Sequence, residues 1–462
     1  MRGARASRVV GALCVAVAVA ACAVVFGAGR AATAAPEDAT VRATHEGVAS
    51  CAGSTCHSRQ VDSGPVVRQN ELITWQDPSS VAGAHSRAYR VLTTARGQAI
   101  ARKMGIGPAQ QAQECLGCHA DPAPPALRGA RFQLSDGVGC EACHGGSGGW
   151  IASHRGVTAT HADNVARGMK ALEDPKVRAG VCLDCHFSGS KPGQFVSHEI
   201  MAAGHPRVAF ELDLFTSLQK HWDVDADYVE RKGSVGGVKT WAVGQAMALE
   251  RALTLYAQPG RHRGAFPELY FFDCHSCHRR ISDDPKARPT WEANPGRPIP
   301  AGQPPFNDEN MIMLAAAAKV TAPALAARLE ADSRAFHAAI ASDRAESLRA
   351  AQKLAGTARA LADAFAAQSF SRAETLAIVD TILQGEITRR YTDYAGSAQA
   401  VMAADTLLNA MVNSGQADRA VVARIRPSLD RAYAQVRDPN SYSPSAFRAS
   451  LAQVAQAARS LR

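Results

Sequence analysis

Five short motifs of cysteine and histidine are the residues of this chain most suited to chemistry. Four have the spacing C-x-x-C-H, and the first in the chain, "CAGSTCH", has four residues between its cysteines. In chain order they are Cys51/Cys56/His57, Cys115/Cys118/His119, Cys140/Cys143/His144, Cys182/Cys185/His186 and Cys274/Cys277/His278. Of the twelve cysteines, only Cys14 and Cys22 lie outside these motifs.

The C-x-x-C-H pattern is typical of covalent attachment of a c-type haem. Its two thiols add to two vinyl groups at one porphyrin edge, and the short spacer sets the separation of the sulfurs. The next residue then lies under the ring, where its imidazole can act as the proximal iron ligand. In the first motif the longer spacer must bulge, which Gly53 and Ser54 permit. The sequence therefore predicts five c-type haems.

Disulfides and zinc are the competing interpretations of the paired cysteines. Exported proteins use cysteine pairs as disulfides, but a disulfide leaves the histidine after every second cysteine without a role. Zinc ribbons use C-x-x-C pairs, but two zinc sites would leave the fifth pair unused and need no adjacent histidine. Haem attachment accounts for all five pairs and their histidines.

The distal iron ligands are predicted to come from the ten histidines outside these proximal positions. They are His45, His85, His154, His161, His198, His205, His221, His262, His275 and His337. Five irons need at most five of them, so counting leaves open whether one iron lacks a sixth ligand. His45 is a weaker candidate. His275 is predicted to point away from the iron of its own motif and not to bind it, and His337 is predicted to have no ligand role.

Sequence context favours four histidines as distal ligands. His85, in "GAHSRAYRVL", is predicted to open a helix, and His154 follows glycines that let the backbone approach a porphyrin closely. His198 and His205 are seven residues apart, so a continuous helix would place both on one side. Pro206 is typical of the first position of a new helix, however, and would make His205 a boundary residue.

The N-terminus has the pattern of a secretory signal peptide. Arginines precede an apolar run over residues 9–26, and small residues follow at positions 32–34. Residues 1–34 are therefore predicted to be removed on export to the periplasm. Retention of this segment as a membrane anchor and lipid attachment at Cys22 stay open as alternatives.

The formal charge of +9 does not indicate a nucleic-acid partner. Loss of the four arginines in residues 1–34 would lower it to +5, and the ten propionates of five haems would bring it to −5. The sequence also lacks a basic stripe with interleaved aromatic residues. The expected partners are redox proteins, either other cytochromes or a membrane quinol-linked complex.

The rest of the chain predicts a mostly α fold. Residues 206–222 and 240–256 have apolar residues at helical spacing. Seven prolines between positions 285 and 305 exclude a helix or central strand there and predict a strap beside the fifth motif.

Three domains follow from these patterns: a leader over residues 1–34, a loop-rich pentahaem cytochrome c domain over 35–305, and an alanine-rich helical bundle over 306–462. The bundle is predicted to contain about five helices. Its signals include a capping box at Ser371 and Glu374, a helix stop at Gly415 and a helix start at Pro444. A structural role, through which the protein could dimerise, is the favoured interpretation.

From about His45 to Pro206 the chain resembles the tetrahaem c-type cytochromes that take electrons from hydroxylamine oxidoreductase. The matching stretches are "TW" and "HSRAY", "CLGCH", "DGVGCEACHGG" with "W…SH" behind it, and "CLDCH". The resemblance implies a mostly helical fold, haems in stacked pairs, distal roles for His85 and His154, and one haem without a sixth protein ligand. It covers about a third of the chain. The longer first spacer, the fifth motif and the C-terminal extension depart from it.

The favoured function is electron transfer between redox partners through five covalently bound haems. The alternative is an oxidoreductase that acts on a small nitrogen or sulfur compound at a five-coordinate haem. All five motifs keep the proximal histidine, so none is marked as catalytic. A third hypothesis, a docking subunit that binds its partner through the C-terminal bundle, overlaps the first.

Overall fold

The computed structural model describes residues 44–60, 69–189, 191–258, 268–278, 283–284, 292–300 and 303–462. The predicted leader lies outside these residues. Across this described part the structure contains helices and loops but no β-strand, and its only bridges are isolated ones at His45/Arg128 and Phe272/Phe306. The prediction of a mostly α fold is confirmed.

Short helices joined by loops form the part of the chain that carries the first four motifs. They are α1 (Glu71–Gln76), α2 (Ala88–Leu92), α3 (Ala95–Met104), α4 (Gln113–His119), α5 (Cys140–His144), α6 (Ile151–His154), α7 (His161–Ala166), α8 (Pro175–Leu183), α9 (His198–Ala203) and α10 (Leu212–Leu218). A 3₁₀-helix, Val81–Arg87, precedes α2 and contains His85. His85 therefore precedes the α-helix that it was predicted to open.

Longer helices form the remainder of the chain. They are α11 (Ala226–Lys232), α12 (Gly237–Ala257), α13 (Glu309–Thr321), α14 (Pro323–Ser342), α15 (Arg344–Ala367), α16 (Arg372–Leu383), α17 (Tyr394–Asn413), α18 (Arg419–Gln435) and α19 (Pro444–Ala458). Seven of these follow residue 306, so the predicted number of about five was wrong. Single residues, Ala322 and Asp343, separate α13, α14 and α15. The apolar spacing in the sequence therefore runs almost unbroken across both of these helix boundaries, and it does not reveal them.

The local signals predicted for the C-terminal helices are confirmed. Ser371 and Glu374 form a reciprocal capping box at the start of α16. Gly415, which follows the C-cap of α17, has a left-handed φ of 71° that favours glycine. Pro444 occupies the first turn of α19, where its missing N–H costs no hydrogen bond.

Residues 206–222 do not form the single helix that their spacing predicted. Only α10 is helical, because residues 206–210 form no regular secondary structure and Glu211 caps the helix with its carboxylate. The helix α11 was not predicted. The helix predicted over residues 240–256 is confirmed as α12, which begins three residues earlier.

One hydrophobic core encloses α12 together with the C-terminal helices α13–α19. Trp241 of α12, Phe306 and Phe336 are all buried in it. Many of the residues around them are alanines, whose small side chains permit close helix packing. The domain boundary at residues 305/306 stays a prediction, and α12 shares the core of the helices beyond that boundary.

The described parts of the proline-rich strap, residues 292–300 and 303–305, contain no helix. Arg297 fastens the strap to the core: its Nε lies 3.2 Å from Asp308, and its guanidinium also pairs with Asp393. At the end of the strap, Pro305 accepts a hydrogen bond of 2.8 Å from the backbone N–H of Asp273. The strap therefore lies against the residue that precedes the fifth motif.

Candidate haem sites

All ten cysteines of the motifs lie in the described part of the chain and are free thiols. The second motif forms the end of α4 and the third forms the whole of α5, and in both helices positions i, i+3 and i+4 bring the two cysteines and the histidine to one face. The fourth motif crosses from α8 into a π-helical turn, Asp184–Ser188. Helical geometry thus orients these three motifs for attachment to one porphyrin edge.

The first motif reaches a similar arrangement through a turn. The backbone N–H of Cys56 donates to Gly53 over 2.8 Å, and that of His57 donates to Cys51 over 3.3 Å. A side chain at Gly53 would place Cβ 3.1 Å from the Cys56 sulfur. The bulge predicted for the longer spacer is therefore present, and glycine leaves room for the thiol.

Four of the five proximal histidines face a second histidine ring. The ring centroids are 6.0 Å apart for His57 and His154, 5.9 Å for His186 and His85, 6.2 Å for His119 and His205, and 6.0 Å for His278 and His198. Two imidazoles on opposite sides of one metal, each with its nitrogen about 2 Å from it, have centroids about 6 Å apart. The donor sets at these motifs therefore fit a six-coordinate haem iron.

Hydrogen bonds at Nδ1 fix the orientation of several of these rings. His57 bonds Glu71 over 3.0 Å, His119 bonds the carbonyl of Ala88 over 3.0 Å, and His205 bonds the carbonyl of Pro206 over 2.7 Å. A metal-bound histidine commonly uses its second nitrogen in this way, since the bond sets the tautomer. Each ring therefore has Nε2 free for a metal.

His198 and His205 face different motifs, because the helix that begins at His198 does not continue to His205, which is a boundary residue. Helix α9 begins at His198 and ends at Ala203, because Gly204 adopts a left-handed φ of 119°. Pro206 opens no helix. The two rings thus point toward the fifth and second motifs, respectively.

The first and third motifs are neighbours, and so are the second and fourth. The thiols of Cys51 and Cys140 lie close enough to shift each other's pKa, and so do those of Cys118 and Cys185. The Cys185 thiol also donates to the carbonyl of Gly117 in the second motif over 3.8 Å. The thiols mark the porphyrin edge in each motif. This arrangement brings four attachment edges together in two pairs, although the motifs of each pair are separated in sequence.

Aromatic residues join the fourth motif to the fifth. The hydroxyl of Tyr270 donates to the carbonyl of Phe187, the residue after His186, and the two aromatic rings are 5.9 Å apart. Tyr270 lies four residues before Cys274 and is buried. The segment that precedes the fifth motif is therefore packed against the residue that follows the fourth motif.

His144 of the third motif is the exception, since its ring contacts no other histidine within the residues described. The remaining histidines have other partners: His161 bonds Glu173 through Nε2, His337 bonds Ser333, His275 contacts Tyr394, His45 bonds Asp121, and His221 bonds the carbonyl of Gln219. His262 lies outside the described residues. Burial lowers the pKa of His144 to about 3, so the imidazole is neutral and can bind a metal.

A buried carboxyl near the fourth motif predicts a pH-dependent stability. Burial raises the pKa of Glu211 from 4.5 to about 7. Folding therefore favours the neutral carboxyl, which contributes its full stabilisation below about pH 4.5. This contribution disappears as pH rises through about 7, and the free energy of unfolding falls by at most about 3 kcal/mol. Glu211→Gln should remove this dependence in urea unfolding at about pH 5 and about pH 8. If the free energy of unfolding of Glu211→Gln changed between these two pH values as much as that of the wild type, the assignment to this carboxyl would be contradicted.

Comparison with known families supports the haem interpretation for part of the chain. Residues 50–145 match the family model described as cytochrome c554 and c-prime, a segment that ends just after His144. No curated protein and no solved structure is significantly similar to the chain. The match supports a c-type multihaem cytochrome with covalently bound haem and an electron-transfer role. The narrower resemblance to cytochromes that serve hydroxylamine oxidoreductase stays a prediction.

Proposed function

We propose that the protein is a periplasmic electron carrier with five c-type haems, one at each motif. The observation that carries the proposal is the set of four histidine ring pairs whose centroids are 5.9–6.2 Å apart. Bound haem supplies a one-electron couple at iron, whose potential depends on axial ligation and burial. The residues of the chain hold the imidazoles in place and bring the attachment edges of neighbouring motifs together.

The proposed partners are other redox proteins, such as cytochromes or a membrane quinol-linked complex. Within the described residues, no helix has the length and apolar character needed to cross a bilayer. The C-terminal bundle remains a candidate surface for dimerisation or docking. Deletion of residues 307–462 would not test this cleanly, because it would also uncover α12.

A haem count tests the proposal. Mass spectrometry and an alkaline pyridine assay of the exported protein should give five covalently bound haems per chain. Replacing Cys274 and Cys277 with alanine should reduce the count to four, because the fifth motif then has no thiol to attach. A matched double substitution of Ser276, which lies between these cysteines, and Ser282, which follows the motif, should keep five. A colourless protein, or one with the mass of the bare polypeptide, would refute the proposal.

A second function rests on His144, whose ring contacts no other histidine among the described residues. If the third iron had an open position, it could bind a small nitrogen or sulfur compound, as in a multihaem oxidoreductase. Carbon monoxide binding to the reduced protein tests this alternative. One bound molecule per chain would favour substrate chemistry, and none would favour electron transfer alone.

A further inference from the structure

We propose that His221 is the distal ligand of the iron at the third motif, opposite His144. The proposal rests on the haem content proposed above and assigns a role to a residue outside the family match. It would complete the set of five histidine pairs. The third iron would then be six-coordinate like the others.

The hydrogen bonding of His221 matches that of the other ligand candidates. Its Nδ1 lies 3.0 Å from the carbonyl oxygen of Gln219, and Nε2 has no hydrogen-bond partner among the described residues. His119 and His205 have the same pattern, a carbonyl on Nδ1 and a free Nε2. A ring held in this way has its metal-binding nitrogen available.

A chain of contacts connects the segment around His221 to the third motif. The carbonyl of His144 accepts the N–H of Lys170 over 2.9 Å, and Arg178 donates to the nearby carbonyl of Leu172 over 2.7 Å. The Arg178 guanidinium lies 5.9 Å from the ring of Trp222, which in turn contacts the His221 ring at 5.2 Å. These contacts connect the partly buried His221 to the third motif.

Electrostatics support the same placement. After burial, the charge of His221 is the largest influence that lowers the pKa of His144. His221 also lowers the pKa of His85 and of Glu71, which bonds His57. The energy of a charge pair falls with the distance between the charges. These influences therefore place His221 near the first, third and fourth motifs.

The other histidines outside the ring pairs fit the position less well. His161 uses Nε2 to bond Glu173 at 2.8 Å, so its metal-binding nitrogen is engaged. His45 bonds Asp121 and lies in a cluster with the carboxylates of Asp121 and Glu141, so acidic side chains surround its ring, and its backbone is tied to the loop at Leu127. His337 lies in the core of the C-terminal helices, away from every motif.

The experiment compares the full-length haem protein with its His221→Ala variant. In the oxidised wild type, electron paramagnetic resonance should show only low-spin haems. His221→Ala should convert one haem per chain to high spin, and the reduced variant should bind one carbon monoxide that the wild type does not. Added imidazole should restore the low-spin state. His161→Ala is the matched control and should change neither the spin state nor carbon monoxide binding.

Two further variants locate the effect. His221→Met should keep the haem six-coordinate and raise its potential, because a thioether replaces an imidazole. In a Cys140→Ala/Cys143→Ala background, which lacks the third attachment site, His221→Ala should produce no new high-spin haem. A high-spin haem that appears there would assign His221 to a different motif and overturn the proposal.

The haem content of the same samples is measured by mass spectrometry. This measurement distinguishes a failure of the His221 assignment from a failure of the proposed function. Five haems with a spin state that His221→Ala leaves unchanged would overturn the assignment of His221 and leave the proposed function intact. A wild type with one high-spin haem that is unaffected by the substitution would also overturn it. Fewer than five haems in the wild type would contradict the proposed function itself.

Discussion

Replacing Arg297 with methionine is expected to lower the free energy of unfolding by about 3–5 kcal/mol. The Arg297 side chain is only 2% exposed and pairs with two buried carboxylates, Asp308 and Asp393. It also donates to the carbonyl of Phe306 over 3.0 Å. Methionine has a similar length and preserves much of the packing. The loss therefore comes from two neighbouring acidic groups that are left without a positive partner.

Denaturant unfolding followed by circular dichroism measures this effect. The matched control is Arg334→Met, because Arg334 bonds Glu330 over 2.9 Å at the surface, where its side chain is 51% exposed. An exposed pair at this helical spacing contributes about 0.3–0.5 kcal/mol. If both variants lost a similar free energy of unfolding, the buried arginine would not be what holds the strap to the core. A smaller loss at low pH is also expected for Arg297→Met, because burial raises the pKa of Asp308 to about 7.

Gly193→Ala is expected to destabilise the protein by about 2–5 kcal/mol and to disturb the second and fourth motifs together. Gly193 has a left-handed φ of 77°, and a Cβ there would lie 1.9 Å from the carbonyl oxygen of Gln113. Gly193 also approaches Gly117 of the second motif, where an added Cβ would lie 2.6 Å from the Gly193 backbone. Because these backbones meet where the thiols of Cys118 and Cys185 meet, their separation should also move the two attachment edges apart.

Gly105→Ala is the control for backbone strain. Gly105 has a similar φ of 67°, but an added Cβ would meet no atom within 4 Å. Its substitution should therefore cost only the left-handed penalty of about 1–2 kcal/mol. Only Gly193→Ala should also change the magnetic interaction between haems in electron paramagnetic resonance. Equal effects of the two substitutions on stability and spectra would contradict the proposed contact between the motifs.

Several local features could be predicted from sequence because each depends on a few consecutive residues. The capping box at Ser371 and the helix stop at Gly415 are examples, since the bonds of a helix end involve only adjacent turns. Errors arose where local signals were ambiguous. The apolar spacing predicted one helix over residues 206–222, although Glu211 caps the helix and the residues before it are not helical.

Distal ligand candidates were only partly recognisable from sequence. Glycines near His154 and the helical context of His85 favoured these residues, and the structure places both opposite a proximal histidine. His221 had no comparable signal, because its neighbours indicated an ordinary amphipathic helix. Its hydrogen bond to the Gln219 carbonyl becomes visible only in the folded chain.

The sequence by itself determined which residues can attach and ligate haem on the proximal side. Two thiols and an imidazole within one short motif suffice for that chemistry, whatever the rest of the chain does. Only the tertiary structure decided which distant histidine faces each motif and which motifs are neighbours. These relations join residues such as His57 and His154, or Cys118 and Cys185, whose contact depends on how the intervening helices pack.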